Sequence, residues 1–254
     1  MNFFDAYPKI SYKFGNLKSD YEFTNLSVYA DLIDSIKDDS TVYSFVTIQD
    51  GERPDLLSYR LYGNSSLHWT FLFLNDQSRC GSWSLSYSDL NDYLEELLPG
   101  QCLVCRDTEV DDDDRTILEM ITRFPVGAAV YGSVSGAIGE VYSRNPNLAQ
   151  IFVNVTSGTF VAGENITNAL VSPTQSLTVT SISTSINATH SYEDADGEIV
   201  DIPPNTGIVP AGYVEITHRD YYEEKNSTLA SVKVLKESIV DTVSIRYREI
   251  IGKA

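Results

Sequence analysis

The residues of this 254-residue chain whose types and spacing could do chemistry fall into a few groups. Asp111-Asp112-Asp113-Asp114 offers the oxygen ligands that a hard cation takes, yet adjacent aspartates do not converge on an ion without a fixed turn. A solvated linker is the simpler expectation. Asp194-Ala195-Asp196-Gly197 with Asp201 resembles the opening of a calcium loop, but the twelfth position, which needs a bidentate Glu, holds Asn205. A hairpin turn at Asp196-Gly197 is expected there instead. Cys102-Leu103-Val104-Cys105 has CxxC spacing; on a strand, residues three apart point to opposite faces, so the sulfurs diverge and buried, inert thiols are expected. The histidines His68, His190 and His218 are scattered singly. There is no G-x-S-x-G elbow, no phosphate-cradling G-x-x-x-x-G-K and no G-x-G-x-x-G. A general acid pair would need two carboxylates held across a cleft. No catalytic residue, metal ligand or cofactor is therefore assigned, and the chain is not expected to be an enzyme. Trp69, beside Phe71, is expected in the core; either Trp69 or Trp83, if exposed, would anchor an interface or stack on a sugar.

Composition bounds the fold that could position such groups. Hydrophobic residues make up 42% of the chain and charged residues 21%, enough apolar mass for a core. Eighteen Lys and Arg against 36 Asp and Glu give a net charge of −18. That excess repels phosphate backbones, and no Lys/Arg cluster offsets it, so nucleic-acid binding is not expected. No window approaches the roughly 18 apolar residues of a spanning helix. Met1-Asn2-Phe3-Phe4-Asp5 lacks the basic and apolar regions of a secretory signal, which points to synthesis in a cytosol. Three cysteines, Cys80, Cys102 and Cys105, argue against a disulfide framework.

Residues 1–40, rich in aromatic side chains without a sustained period, read as an extended arm, with one short helix suggested over Asn25–Ile36. Val42–Ile48 is a β-branched and aromatic run ended by Asp50-Gly51, hence a strand. Pro54 at a first helical position and Gly63 as a stop frame a helix over Pro54–Tyr62. A second helix is expected from Ser65 as N-cap to Asn75, and a third from Ser88 to Leu97, stopped by Pro99-Gly100. Gln101–Arg106 reads as a strand. The six acids in the eight residues from Asp107 to Asp114 mark a linker over 107–123. From 124 to 217 the chain turns to Gly, Ser, Thr and Val, with strands expected at Ala129–Ser133, Glu140–Ser143, Ile151–Thr156, Leu177–Ser183, Glu198–Ile202 and Tyr213–Thr217, the spacing of a small sandwich or barrel. The tail, 218–254, holds a strand at Ser231–Leu235 and an amphipathic helix through Ile239, Val243, Tyr247 and Ile250.

Strand, Asp50-Gly51, helix, Gly63, helix, Asn75 and then Pro99-Gly100-Gln101 resembles a LysM domain over residues 41–106. More specifically, Gln49-Asp50-Gly51-Glu52-Arg53-Pro54, Leu61-Tyr62-Gly63-Asn64, Leu67-His68-Trp69, Asn75-Asp76 and Trp83 are similar to the LysM-like baseplate wedge subunits of contractile-tailed bacteriophages, the wedge protein fifty-three family. The resemblance covers residues 1–105 and 220–254 and implies a βααβ unit closed by the Gln101 strand with a C-terminal segment returning to the first domain; it does not account for the β-rich block 124–217, which then reads as an all-β insertion and makes the fold α+β. It implies structural roles for the signature residues. Gly51 and Pro54 would shape the first turn, Tyr62-Gly63 would end the first helix, and Trp69 would pack the second helix on the sheet. It further implies a virion location in the tail baseplate and other wedge subunits as partners in a six-fold assembly. A LysM module that binds peptidoglycan or N-acetylglucosamine polymers is the alternative it leaves.

Overall fold

The computed structural model describes residues 7–15, 20–25, 39–76, 82–106, 120–168, 176–200 and 211–251. The acidic run at 107–114 and nearly all of the expected helix at 25–36 lie outside them, as do Cys80, Asp201 and Asn205. The chain forms two compact units, residues 1–87 with 225–254, and residues 88–224. Charge is divided unequally between them. The first holds 13 Lys and Arg against 14 Asp and Glu, a net −1; the second holds 5 against 22, a net −17.

The first unit begins with an antiparallel hairpin, β1 (Lys9–Tyr12) and β2 (Tyr21–Thr24). Ile10 stands opposite Phe23 and Tyr12 opposite Tyr21, so alternation gathers the apolar side chains on one face. Lys9 and Thr24, paired on the other face, are joined by a hydrogen bond. The expectation of an arm without a period is corrected here: residues 10, 12 and 14, then 21 and 23, alternate with a period of two. β3 (Tyr43–Thr47) follows as expected, and α1 (Pro54–Tyr62) has the expected ends. Pro54 supplies a helix-ready φ, and Gly63 takes a φ of 64° that lets its N–H reach Tyr59 O. The single helix expected from Ser65 is instead two pieces. Asn64, held extended while its carbonyl accepts from Ser58 Oγ, caps a 3-10 turn at Ser65–Leu67 through Ser66 N, and α2 (Trp69–Leu74) starts anew.

The division between units falls just inside α3 (Tyr87–Leu97). Leu90 and Leu94 are its buried residues, while Tyr93 and Leu97 are exposed. β4 (Gln101–Arg106) then enters a closed six-stranded antiparallel barrel with β5 (Ala129–Gly132), β6 (Ile138–Asn145), β7 (Gln150–Ser157), β8 (Asn165–Asn168) and β9 (Ser176–Thr184), in the order β4-β7-β6-β5-β8-β9. Gly100 leads into β4 with a φ of 75°, and a Cβ there would run into Val153 O. Leu103 lies opposite Ile151 on one side and Ile182 on the other, closing the ring. Leu103, Phe124, Ile151, Ile166, Leu177 and Val179 fill its core. The Gln101 strand is thus a barrel strand and does not close a βααβ unit on β3, as the resemblance implied. A small sheet with order β11-β10-β12 follows, made of β10 (Thr189–Glu193), β11 (Ile199–Val200) and β12 (Val214–Thr217). Its β10–β11 connection is the expected hairpin turn: Gly197, at φ 79°, donates to Asp194 O, and Asp194 Oδ1 accepts from the N–H groups of Asp196 and Glu198. β8, β10 and the helix α4 (His218–Ala230) were not expected from sequence.

The chain then completes the first unit. β13 (Ser231–Leu235) pairs antiparallel with β3, Val232 opposite Val46 and Lys233 opposite Phe45. α5 (Glu237–Ile251) buries Val240, Ser244, Tyr247 and Ile251, a stripe at helical spacing. Val232 and Val234 pack with Ile48, Leu57 and Phe71. Burying each such side chain contributes about 1.5–3 kcal/mol, so the strand that follows the barrel supplies a large part of this core.

Candidate functional site

The signature residues from Asp50 to Trp83 converge in the first unit. Gly51, at φ 69°, turns the chain after β3, and Asp50 Oδ1 accepts from Tyr87 N at 2.9 Å. Glu52 closes the turn: Oε2 accepts from Gln49 N at 3.0 Å, and both carboxylate oxygens accept from Arg60, Nε to Oε1 at 2.7 Å and Nη2 to Oε2 at 2.8 Å. The Arg60 guanidinium holds the Glu52 carboxyl below its ordinary range against the opposing effect of burial. A carboxylate gripped in this fork is neither a proton donor nor a free ligand. Arg53, the residue before Pro54, makes no cap; it pairs with Asp55 on the surface. Trp83 donates from Nε1 to Glu52 O at 2.8 Å and lies parallel to Phe71, centroids 6.4 Å apart.

The other end of the motif reaches β13. Tyr62 donates its hydroxyl to Leu235 O at 2.8 Å, and burial pushes its phenol well up. The Asn75 side chain accepts from Lys233 N and donates to Lys233 O, both at 2.8 Å, and also to Phe71 O at 2.9 Å. Asn75, expected only to end the second helix, therefore also supplies β13 with the hydrogen bonds of a neighbouring strand. Trp69 is buried as expected, but its ring meets Tyr247 of α5, centroids 5.0 Å apart, and Phe73 at 5.7 Å. Tyr7 joins that cluster, its hydroxyl 3.4 Å from that of Tyr247. Tyr247 is marked by the helical spacing of the C-terminal segment, whereas Arg60, central to these contacts, carries no local sequence signal.

Two sheet faces in this unit expose large apolar side chains among the described residues. On the hairpin, Ile10, Tyr12, Phe14, Tyr21 and Phe23 are each between 43% and 55% exposed, and Phe14 meets three of the others edge to face. On the outer face of β3, Phe45 is 62% exposed against Tyr43, over whose ring Lys233 Nζ stands at 4.8 Å.

In the second unit, Cys102 and Cys105 are buried free thiols in different clusters, as the strand argument requires, and burial pushes Cys102 up to about 12 and Cys105 well above its ordinary value. His190 and His218, expected to stand singly, are brought together, ring centroids 5.2 Å apart, with His190 stacked on Tyr221 at 4.0 Å. Burial lowers both, and the neighbouring His190 adds to the lowering of His218, which falls to about 4. Glu164 is a buried carboxylate that accepts from the N–H groups of Val134, Ser135 and Val161 and from Ser135 Oγ. Burial alone would raise it, but these bonds outweigh burial and hold it below the usual range. Among the described residues, no three His, Cys, Asp or Glu side chains gather as metal ligands, and no helix is long and apolar enough to cross a membrane. No protein-family model matches the chain, and comparison with curated proteins finds no match.

Proposed function

We propose that this chain is a structural subunit of a phage tail baseplate wedge, helping to join neighbouring wedges into a six-fold baseplate. The observation that carries this reading is the use to which the first unit puts the signature residues. Glu52, Tyr62, Trp69, Asn75 and Trp83 all serve to hold a β-α-α-β arrangement, with β3 and β13 as its strands. That order is LysM-like, with the second strand supplied after the barrel rather than by Gln101. The side chains of this motif are engaged within the fold, as in an element that presents surfaces to other proteins. The reading places the subunit in the virion, with other wedge subunits as partners. Mass spectrometry of purified virions should find the chain in roughly constant proportion to other baseplate proteins; its absence there would refute the reading. Retention on purified peptidoglycan would support the sugar-binding alternative.

A further inference from the structure

We propose that the aromatic hairpin of one copy of this chain docks on the outer face of the β3–β13 sheet of a second copy, a head-to-tail contact. A two-stranded ribbon is marginal by itself, and this one leaves five large apolar side chains half-exposed, with one another as their cover among the described residues. The outer face of β3 is the complementary feature: Phe45 and Tyr43 are an aromatic pair on a sheet that, among the described residues, has two strands. Both faces belong to one unit, and among the described residues neither covers the other.

Charge sets the surfaces through which a second copy can approach. Units of −17 repel one another, whereas units of −1 do not, so like chains meet through the first unit. At the rim, β2 brings Glu22 with Asp20 before it, and the receiving sheet brings Lys233 and the exposed Lys236. This sets β2, rather than β1 with its Lys9, nearest Lys233. Sheet-on-sheet packing of this kind interdigitates the facing side chains. Half-exposed aromatic and aliphatic groups at roughly 200 Å² each offer on the order of 500 Å² per hairpin, short of the ~800 Å² per partner of a stable complex. One contact is therefore weak. A head-to-tail contact repeats, and it closes into a ring when the rotation per step allows. The proposal does not depend on the baseplate reading, since it concerns the purified chain alone.

Sedimentation velocity of the full chain over a concentration series up to on the order of 100 µM tests it. The wild type should shift reversibly to larger species as concentration rises. Phe23→Lys and Phe45→Lys, both at exposed positions, should each remain monomeric with an unchanged circular dichroism spectrum. Their equimolar mixture should regain dimers and nothing larger, because one intact hairpin then meets one intact sheet. Phe14→Lys serves as a second hairpin variant. A wild type that stays monomeric throughout would overturn the proposal in favour of a different protein as occupant. A Phe45→Lys variant that associates like the wild type would overturn it in favour of hairpins that cover each other.

Discussion

Trp69 joins the second helix to the C-terminal one, because its indole lies between Phe73 on its own helix and Tyr247 on α5. Trp69→Ala would leave a cavity lined by rings that cannot collapse into it, and should destabilise the first unit by roughly 3–5 kcal/mol in urea unfolding followed by Trp83 fluorescence. A change below about 1 kcal/mol would mean that the ring is not core. At His218 the expected effect depends on pH. The neutral ring is half-buried against Phe152 and His190, and its folded value of about 4 lies below the ordinary value of about 6.5. Between those values the unfolded chain binds a proton that the folded one does not, so the contribution to stability is whole above pH 6.5 and is lost as pH falls toward 4. Discounted for solvent screening of a half-buried ring, the second unit should lose about 0.5–1 kcal/mol between pH 6.5 and 5, above the range where ordinary carboxylates titrate. Urea midpoints read by far-ultraviolet circular dichroism measure this, and His218→Phe should flatten the slope.

Elements whose ends carry their own chemistry were legible in the sequence. α1 begins at Pro54 and stops before Gly63, and β13 occupies the β-branched run Ser231–Leu235. The turn at Asp194–Gly197 was equally readable, since Asp supplies the acceptor and Gly the left-handed φ. Elements defined by their neighbours were not. β8, Asn165-Ile166-Thr167-Asn168, has one large apolar residue, and its strand character comes from lying between β5 and β9. β4 was read correctly as a strand but assigned the wrong partner, because Gln101–Arg106 suits β3 or β7 equally by composition, and only the closed barrel decides. The hairpin alternation over residues 10–14 and 21–23 was present in the sequence but masked by further aromatics at Phe3, Phe4 and Tyr7. At the candidate site, the turn at Gly51 and the stop at Gly63 follow from local motifs. The Glu52–Arg60 fork and the Asn75–Lys233 bonds do not, since each joins positions that no period links.

The molecule as a whole is an interrupted unit. Residues 88–224 fold as a barrel-containing body of their own, and the chain returns afterwards to supply β13 and α5. A chain ending at residue 224 should therefore keep the second unit and lose the first. Trp69 and Trp83, the only tryptophans, both lie in the first unit, so their emission should shift to that of solvated indole while the strand signal of the barrel persists. Nearly all of the net charge resides in the body that interrupts the fold, so the proposed contact between copies would run through the nearly neutral unit. The most direct test of the central claim is co-expression of the full chain with the other open reading frames of its genomic neighbourhood, followed by affinity capture and electron microscopy. The baseplate reading predicts that tail proteins are retained with it as wedges or six-fold rings. Capture of the chain alone, with every neighbouring tail protein expressed and soluble, would contradict it.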